Sequence, residues 1–169
     1  MTFFNKDFLC SSVNPELEGE INIIIDRRKN IFKLSQGEYI IPAKLESVYT
    51  KSIYVQQLMI YGNPTKNNII AIVIPDKKKC AEALNISIDD LVKDTENKKL
   101  HELIINDFNK LAVDAEFNGL EKVKYILVDF DEFTNNNNCL TPTMKIIRKN
   151  VEIKFKERID KLYEEISKK

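Results

Sequence analysis

The sequence has very little of what self-contained catalysis usually needs. Its 169 residues include one histidine (His101), four scattered glycines and no tryptophan. A single histidine without a Cys-x-x-Cys pair does not favour a zinc site, and scattered glycines cannot form a glycine-rich phosphate loop. We therefore expect no metal site. We interpret His101 as a surface residue of a long charged helix rather than as a catalytic base.

Other absences limit the binding partners and cellular compartments that the sequence favours. Lysine and arginine (26) balance aspartate and glutamate (26), so no net field favours nucleic acid or an anionic membrane. No apolar run approaches the ~20 residues that are needed to cross a bilayer. The three cysteines are odd in number and far apart, which indicates reduced thiols: Cys10, Cys80 and Cys139. These features predict a cytoplasmic protein without a signal peptide or a transmembrane segment.

Hydrophobic periodicity predicts an α+β domain with an N-terminal two-stranded hairpin and then a three-stranded sheet covered by helices. Residues 1–20 lack clear periodicity, and we interpret them as a linker. The hairpin would pair residues 21–25 with 31–34 across a polar turn at 26–30. The predicted sheet strands are 55–61, 69–74 and 123–128. Helices are expected from Pro42, from Ser87 with its capping partner Asp90, over about 95–118 up to a stop at Asn118-Gly119, and over the charged C-terminal segment.

Two polar segments do not fit a core. Residues 26–42 read DRRKNIFKLSQGEYIIP, and residues 140–148 read LTPTMKIIR. The first segment closely resembles the hinge-and-turn motif of long-chain fatty acyl-CoA synthetases, a branch of the adenylate-forming enzymes. Tyr61-Gly62 and the segments 71–76, 120–124 and 140–148 resemble the same family in the same order. The resemblance extends over about residues 20–166.

The resemblance implies one part of a two-domain enzyme. Such an enzyme uses ATP, assisted by Mg²⁺, to activate a fatty acid as an acyl-adenylate with release of pyrophosphate, and coenzyme A then gives the thioester. The large N-terminal domain holds most of the ATP and fatty-acid sites, and the small C-terminal domain swings between two poses. We therefore expect residues 21–169 to be this mobile lid domain and residues 1–20 to be a linker or a remnant of the large domain. Alone, the chain should be inactive and bind no nucleotide or CoA tightly.

The resemblance also implies roles for individual residues. Lys145 matches the adenylation lysine, and a compact charge on a flexible stem suits that role. The hinge, where the two domains rotate, matches Asp26, Arg27, Arg28 and Lys29. The resemblance also implies that both Arg27 and Lys145 approach the nucleotide. The turn that faces the CoA tunnel during thioester formation matches Ser35, Gln36, Gly37 and Glu38.

Each of these residues also has a plainer interpretation. Lys145 could be one exposed loop lysine among many, the segment 26–29 a charged turn, and Gly37 an ordinary turn glycine. Residues 3–7 only partly match the family's Thr-Gly-Asp segment, and the large domain's phosphate loop has no counterpart. A stand-alone, non-catalytic regulatory module of the same fold and a CoA ligase for another carboxylic acid therefore stay open. So does a peripheral location on the cytosolic face of the endoplasmic reticulum or another membrane.

Overall fold

The computed structural model describes the backbone of residues 8–10 and 24–27 and all atoms of residues 31–168. Strand β1 (Phe8–Cys10) pairs antiparallel with β2 (Ile24–Arg27). Strand β3 (Phe32–Lys33) pairs antiparallel with β4 (Tyr39–Ile40). A two-stranded hairpin thus precedes the main sheet as predicted, but the predicted pairing of 21–25 with 31–34 is wrong. The strands close instead around Gly37, because its φ of 91° allows the tight reversal.

A three-stranded sheet forms the centre of the domain, as predicted. Its strands are β5 (Val55–Gly62), β6 (Ile69–Pro75) and β7 (Tyr125–Val128), in the order β5-β6-β7. Strand β6 is antiparallel to β5 and parallel to β7. All seven residues of β6 are buried, and each buried isoleucine contributes about 1.5–3 kcal/mol. A strand that is apolar on both faces needs a covering layer on each side.

Four helices cover the first face of the sheet. They are α1 (Pro42–Tyr49), α2 (Lys77–Leu84), α3 (Ile88–Lys93) and α4 (Lys98–Asp114). The starts of α1 and α3 follow the sequence signals: Pro42 occupies the first turn of α1, and Ser87 Oγ accepts from the Asp90 N–H (3.0 Å). The core on this face joins residues of all four helices to alternate residues of the sheet, among them Leu45, Cys80, Leu91, Phe108, Leu58, Ala71 and Val128.

The second face is covered by α5 (Arg148–Ser167) and by the irregular segment 129–147 that leads into it. The other alternate residues of the strands contribute to this core, together with Val151, Phe155, Ile159 and Tyr163 of α5. The Tyr163 hydroxyl donates to the Asn68 carbonyl (2.9 Å), which fixes the C-terminal half of α5 to the β5–β6 loop. None of the described helices combines the length and apolar character that crossing a bilayer requires.

The predicted end of the long helix is wrong. Helix α4 ends at Asp114, and Glu116 rather than a glycine takes the left-handed conformation, with φ of 54°. Phe117 is the reason: its side chain is 5% exposed and its ring centroid lies 5.6 Å from that of Tyr49. Burial of this ring turns the chain inward before Asn118, because tertiary packing overrides the local stop signal.

Candidate functional site

Lys145 lies exposed on a short loop, residues 140–146, which we call the lysine loop. Leu140 and Ile146 form an antiparallel bridge at its base. The Thr141 N–H donates to the Lys145 carbonyl (2.8 Å), and the Lys145 N–H donates to Thr141 Oγ1 (3.1 Å). Thr141 therefore holds the lysine backbone from both sides. The side chain stays free to reach outward from a fixed origin.

The residue before the lysine carries backbone strain. Met144 has φ of 60°, and its side chain is 67% exposed. A left-handed conformation costs a residue with a Cβ roughly 1–2 kcal/mol. The Met144 N–H donates to the Thr141 carbonyl (2.9 Å), so the turn that holds Lys145 also holds the strained residue. Such strain persists where the surroundings over-determine the conformation.

The asparagine run before the lysine loop is structural. Asn137 Oδ1 accepts from the N–H groups of Thr134 (2.9 Å) and Cys139 (3.2 Å). Asn138 has φ of 57°, which asparagine tolerates better than most residues, and its carbonyl accepts from Asn150 Nδ2 of α5 (2.6 Å). The run therefore forms a tight turn that joins the lysine loop to the helix that follows. Its composition alone suggests only a surface insertion.

Arg148, just beyond the C-terminal end of the lysine loop, forms an ion pair that the sequence does not predict. Arg148 Nη2 lies 2.5 Å from Glu46 Oε2, and Arg148 Nη1 donates to the Ile60 carbonyl (3.2 Å). Glu46 Oε1 accepts from the Ile60 N–H (2.8 Å). Helices α1 and α5 are thus joined across edge strand β5. The only sequence signal for this contact is an arginine at the start of a helix, where the positive end of the helix dipole disfavours it.

The second candidate region is the turn of residues 34–38, which we call the glycine turn. The Gly37 N–H donates to the Leu34 carbonyl (2.9 Å), and the Leu34 N–H donates to the Glu38 carbonyl (2.9 Å). The Ser35 N–H donates to a carbonyl of the β5–β6 loop (3.2 Å). Residues Ser35 to Glu38 are all exposed, whereas Leu34 is buried. The buried Leu34 side chain therefore anchors the turn, and the peptide groups of Ser35 to Glu38 are exposed to solvent.

A steric contact fixes the glycine turn to the sheet. A Cβ placed on Gly62, the last residue of β5, would lie 2.0 Å from Cε2 of Phe32 in β3. The Phe32 ring therefore occupies the space that a side chain at position 62 would need, and only glycine fits there. This contact explains why the Tyr61-Gly62 pair of the motif contains a glycine.

The lysine loop and the glycine turn are anchored on opposite faces of the sheet. Leu34, the first residue of the glycine turn, and Ile40, two residues after the turn, belong to the core under α1 to α4. Cys139 and Leu140, at the base of the lysine loop, belong to the core under α5. The structure thus brings the residues within each motif together and keeps the two motifs apart.

The hinge segment is described only in part. Asp26 and Arg27 lie in β2, opposite Leu9 and Phe8, so the predicted polar turn at 26–30 does not begin at Asp26. Strand β1 lies in the segment that we interpret as a linker. Arg28 and Lys29 lie outside the described residues, as do the side chains of Asp26 and Arg27. A contact between Arg27 and a nucleotide stays a prediction.

A separate groove of about 520 Å³ lies between α4, β7 and α5. His101 and Arg158 line it, but neither the lysine loop nor the glycine turn does. His101 is half-buried, and its Nε2 lies 2.9 Å from the Thr95 carbonyl, as for an ordinary helix-surface histidine. Within the described ranges, no three His, Cys, Asp or Glu side chains are grouped so as to hold a metal ion.

The lysine loop and the glycine turn lie within the two polar segments that carry the sequence resemblance, and both belong to one small α+β domain. Residues 29–167 match the family described as "AMP-binding enzyme C-terminal domain". The chain belongs to this family.

Individual relatives support the same assignment. Fatty acyl-CoA synthetase A of Dictyostelium discoideum is 36% identical over 147 residues, which are 84% of this chain and 22% of that protein. Long chain acyl-CoA synthetase 7, peroxisomal, of Arabidopsis thaliana is 38% identical over 147 residues, 85% of this chain and 21% of that protein. The chain thus spans about a fifth of the length of these relatives.

Solved structures share the fold. The A-PCP didomain of carboxylic acid reductase from Segniliparus rugosus, determined in complex with AMP, superposes with a TM-score of 0.78 and 26% identity. The match covers 90% of this chain and 20% of that one. The described α+β architecture is therefore the fold of the C-terminal part of adenylate-forming enzymes.

Proposed function

We propose that this chain is the lid domain of a long-chain fatty acid–CoA ligase. The ligase would convert ATP, a fatty acid and CoA to acyl-CoA, AMP and pyrophosphate. The observation that supports this most directly is the presentation of Lys145. Its backbone is held on both sides by Thr141, next to the base of the lysine loop, while its side chain lies in solvent. An ordinary surface lysine needs no such support.

Lys145 would serve the first half-reaction. Its ammonium would lie between the fatty-acid carboxylate and the α-phosphate, where it neutralises the charge that gathers as the carboxylate oxygen attacks and pyrophosphate leaves. Loss of a preorganised donor of this kind costs about 3–4 kcal/mol of transition-state stabilisation.

The glycine turn would serve the second half-reaction. With no side chain at Gly37, the backbone of Ser35 to Glu38 can approach the pantetheine arm of CoA closely. Since the two motifs are anchored on opposite faces of the sheet, one pose of the domain cannot direct both at the same site. A rotation about Asp26, Arg27, Arg28 and Lys29 would exchange them, with Arg27 near the nucleotide.

The remaining partners follow from the same proposal. The large N-terminal domain of the same enzyme would bind ATP and the fatty acid. Mg²⁺ would neutralise the phosphates there, and we assign no residue of this chain to it. The enzyme would be cytoplasmic, or peripheral on the cytosolic face of the endoplasmic reticulum or another membrane. A stand-alone regulatory module is not favoured, because the similar proteins are named as synthetases.

A chimera tests the proposal. This chain replaces the corresponding part of the Dictyostelium synthetase, and fatty-acid-dependent pyrophosphate release is measured with and without Lys145→Ala. We expect the substitution to slow adenylation about 10²–10³-fold. Thioester formation from added acyl-adenylate should be retained, because that step uses the glycine turn.

Lys149→Ala is the matched control, since Lys149 is also exposed and lies only four residues further along the chain. It should leave pyrophosphate release within about twofold of the unsubstituted chimera, as is usual for surface substitutions. If Lys145→Ala leaves the adenylation rate unchanged, or if Lys149→Ala slows adenylation equally, the assignment of Lys145 as the adenylation lysine is wrong.

A further inference from the structure

Helix α5 begins in a way that its own stability does not explain. Arg148 and Lys149 occupy its first turn, no acidic residue lies there, and Ile147 provides no side-chain cap. Cations are unfavourable at this end of a helix, because the helix dipole is positive there. The unfavourable interaction of Arg148 with the helix dipole must therefore be offset by contacts outside the helix.

The surroundings of Arg148 supply that reason. Its guanidinium reaches both Glu46 of α1 (2.5 Å) and the carbonyl of Ile60 in β5 (3.2 Å), and Glu46 in turn accepts from the Ile60 N–H (2.8 Å). The three residues form a closed ring over the edge of the sheet. The side chains of Arg148 and Glu46 are only 23% and 16% exposed, so these charge-assisted bonds are partly shielded from water.

The ring lies between the two candidate regions. Arg148 follows Lys145 by three residues, and Glu46 belongs to α1, the helix that directly follows the hairpin of the glycine turn. The ring also blocks the exposed hydrogen-bonding groups of Ile60 on an edge strand. It therefore fixes the exit of the lysine loop to the sheet, while the bridge between Leu140 and Ile146 closes its base.

We propose that Glu46 and Arg148 are positioning residues for Lys145. By joining α1, β5 and α5, the pair sets the position of the Lys145 backbone and the direction in which its side chain extends from the domain. This inference rests on the proposed adenylation role of Lys145. Neither residue would touch the substrates. A displacement of about 1 Å at a catalytic group can slow a reaction about a hundredfold.

The same helix offers a matched control. Arg158 pairs with Asp129 and donates to the Val128 carbonyl (2.6 Å), so it too joins a carboxylate and a sheet carbonyl. Its side chain and that of Asp129 are 39% and 20% exposed, so this pair is somewhat more exposed than the first. Arg158 lies ten residues beyond Arg148 on α5. Removal of either arginine disturbs the docking of α5, but only one of them adjoins the lysine loop.

The first experiment uses this chain and needs no activity. Amide hydrogen exchange is followed by NMR in the unsubstituted protein, Arg148→Met and Arg158→Met. We expect Arg148→Met to remove protection at the Lys145 and Met144 amides, and Arg158→Met to leave it intact. Equal protection in all three proteins would overturn the positioning role, whatever the fate of the proposed function.

The second experiment uses the chimera. Arg148→Met should slow pyrophosphate release about tenfold to a hundredfold, with the thioester step from added acyl-adenylate and the Arg158→Met variant little changed. In a Lys145→Ala background, Arg148→Met should have no further effect on adenylation. Equal slowing of both half-reactions, or an undiminished effect without the lysine, would mean a merely structural role and overturn the proposal.

A conservative variant keeps the test decisive if Arg148→Met does not fold. Arg148→Lys retains a charge opposite Glu46 but lacks the planar fork that spans the carboxylate and the Ile60 carbonyl. We expect it to fold and to lose part of the adenylation rate while the thioester step is kept. Full adenylation by the Arg148→Lys variant, together with full protection of its Lys145 amide, would contradict the proposal.

Discussion

The lysine loop and the glycine turn both reverse the chain through a residue with positive φ, yet only one of them uses glycine for it. Gly37 has φ of 91° and Met144 has φ of 60°. At Gly37 the conformation carries no Cβ strain, and the exposed turn surface stays free of a side chain. At Met144 the strain is accepted and held by the bonds of Thr141. The turn that we propose to let CoA approach and the loop that we propose to present the catalytic lysine thus use the same backbone region differently.

The two regions also differ in how they are anchored. The glycine turn depends on packing, because the Phe32 ring lies against Gly62. The lysine loop depends on polar contacts, because Thr141, Asn137 and Arg148 hold it through hydrogen bonds and one ion pair. The first anchor should be sensitive to volume and the second to the loss of donors and acceptors.

Substitution of Gly62 should give the largest change in stability. The new methyl group of Gly62→Ala would overlap the Phe32 ring, and overpacking of this kind costs about 1–3 kcal/mol. Urea unfolding measures the effect. Gly119→Ala is the control, because a Cβ at Gly119 meets no atom within 4 Å. If both variants unfold at the same urea concentration, the packing anchor of the glycine turn is not as described.

Substitution of Gly37 comes next. Gly37→Ala places a Cβ at φ of 91°, which should lower the free energy of unfolding by roughly 1–2 kcal/mol. In the chimera, thioester formation should slow more than pyrophosphate release, because the added methyl group lies on the turn. Lys51→Ala changes an exposed residue outside both candidate regions, without positive φ, and serves as the control. A larger effect on pyrophosphate release would reverse the roles of the two regions.

Substitution of Met144 should have the smallest effect on stability. Met144→Gly relieves the strain of the left-handed conformation but adds freedom to the unfolded chain, so the free energy of unfolding should change by less than about 1 kcal/mol. Thermal or urea unfolding of this variant beside Met144→Ala separates strain from the side chain. A loss well above that range would show that the exposed Met144 side chain makes a stabilising contact.

Much of the fold is local in origin and could be predicted. The three strands of the sheet and the starts of α1 and α3 follow from apolar periodicity, Pro42 and the Ser87–Asp90 pair. Strand pairing could not be predicted in the same way. Residues 21–25 and 31–34 both suit a strand, and only the geometry of the glycine turn and the presence of β1 decide their partners.

The candidate site likewise contains residues that could be predicted from the sequence and residues that could not. Lys145 and the Ser35 to Glu38 turn stand out because of their unusual polar sequence, and they could be found from resemblance. Glu46 could not be found, because a glutamate on a surface helix is ordinary until Arg148, 102 positions away, is placed beside it. The turn formed by the asparagine run and the early end of α4 at Asp114 could not be predicted either. Their roles depend on contacts between segments distant in sequence.

The sequence by itself determined the α+β class and the strands of the central sheet, because these depend on short-range patterns of polarity and turn chemistry. Its resemblance to a known family indicated the residues that belong to each motif. Only the tertiary structure decided that the two motifs are anchored in separate cores on opposite faces of one sheet. It also decided that a ring of Glu46, Arg148 and Ile60 joins those faces. The physical reason is that the anchors of each motif pack against segments distant in sequence, and no short-range pattern specifies which of the two cores they join.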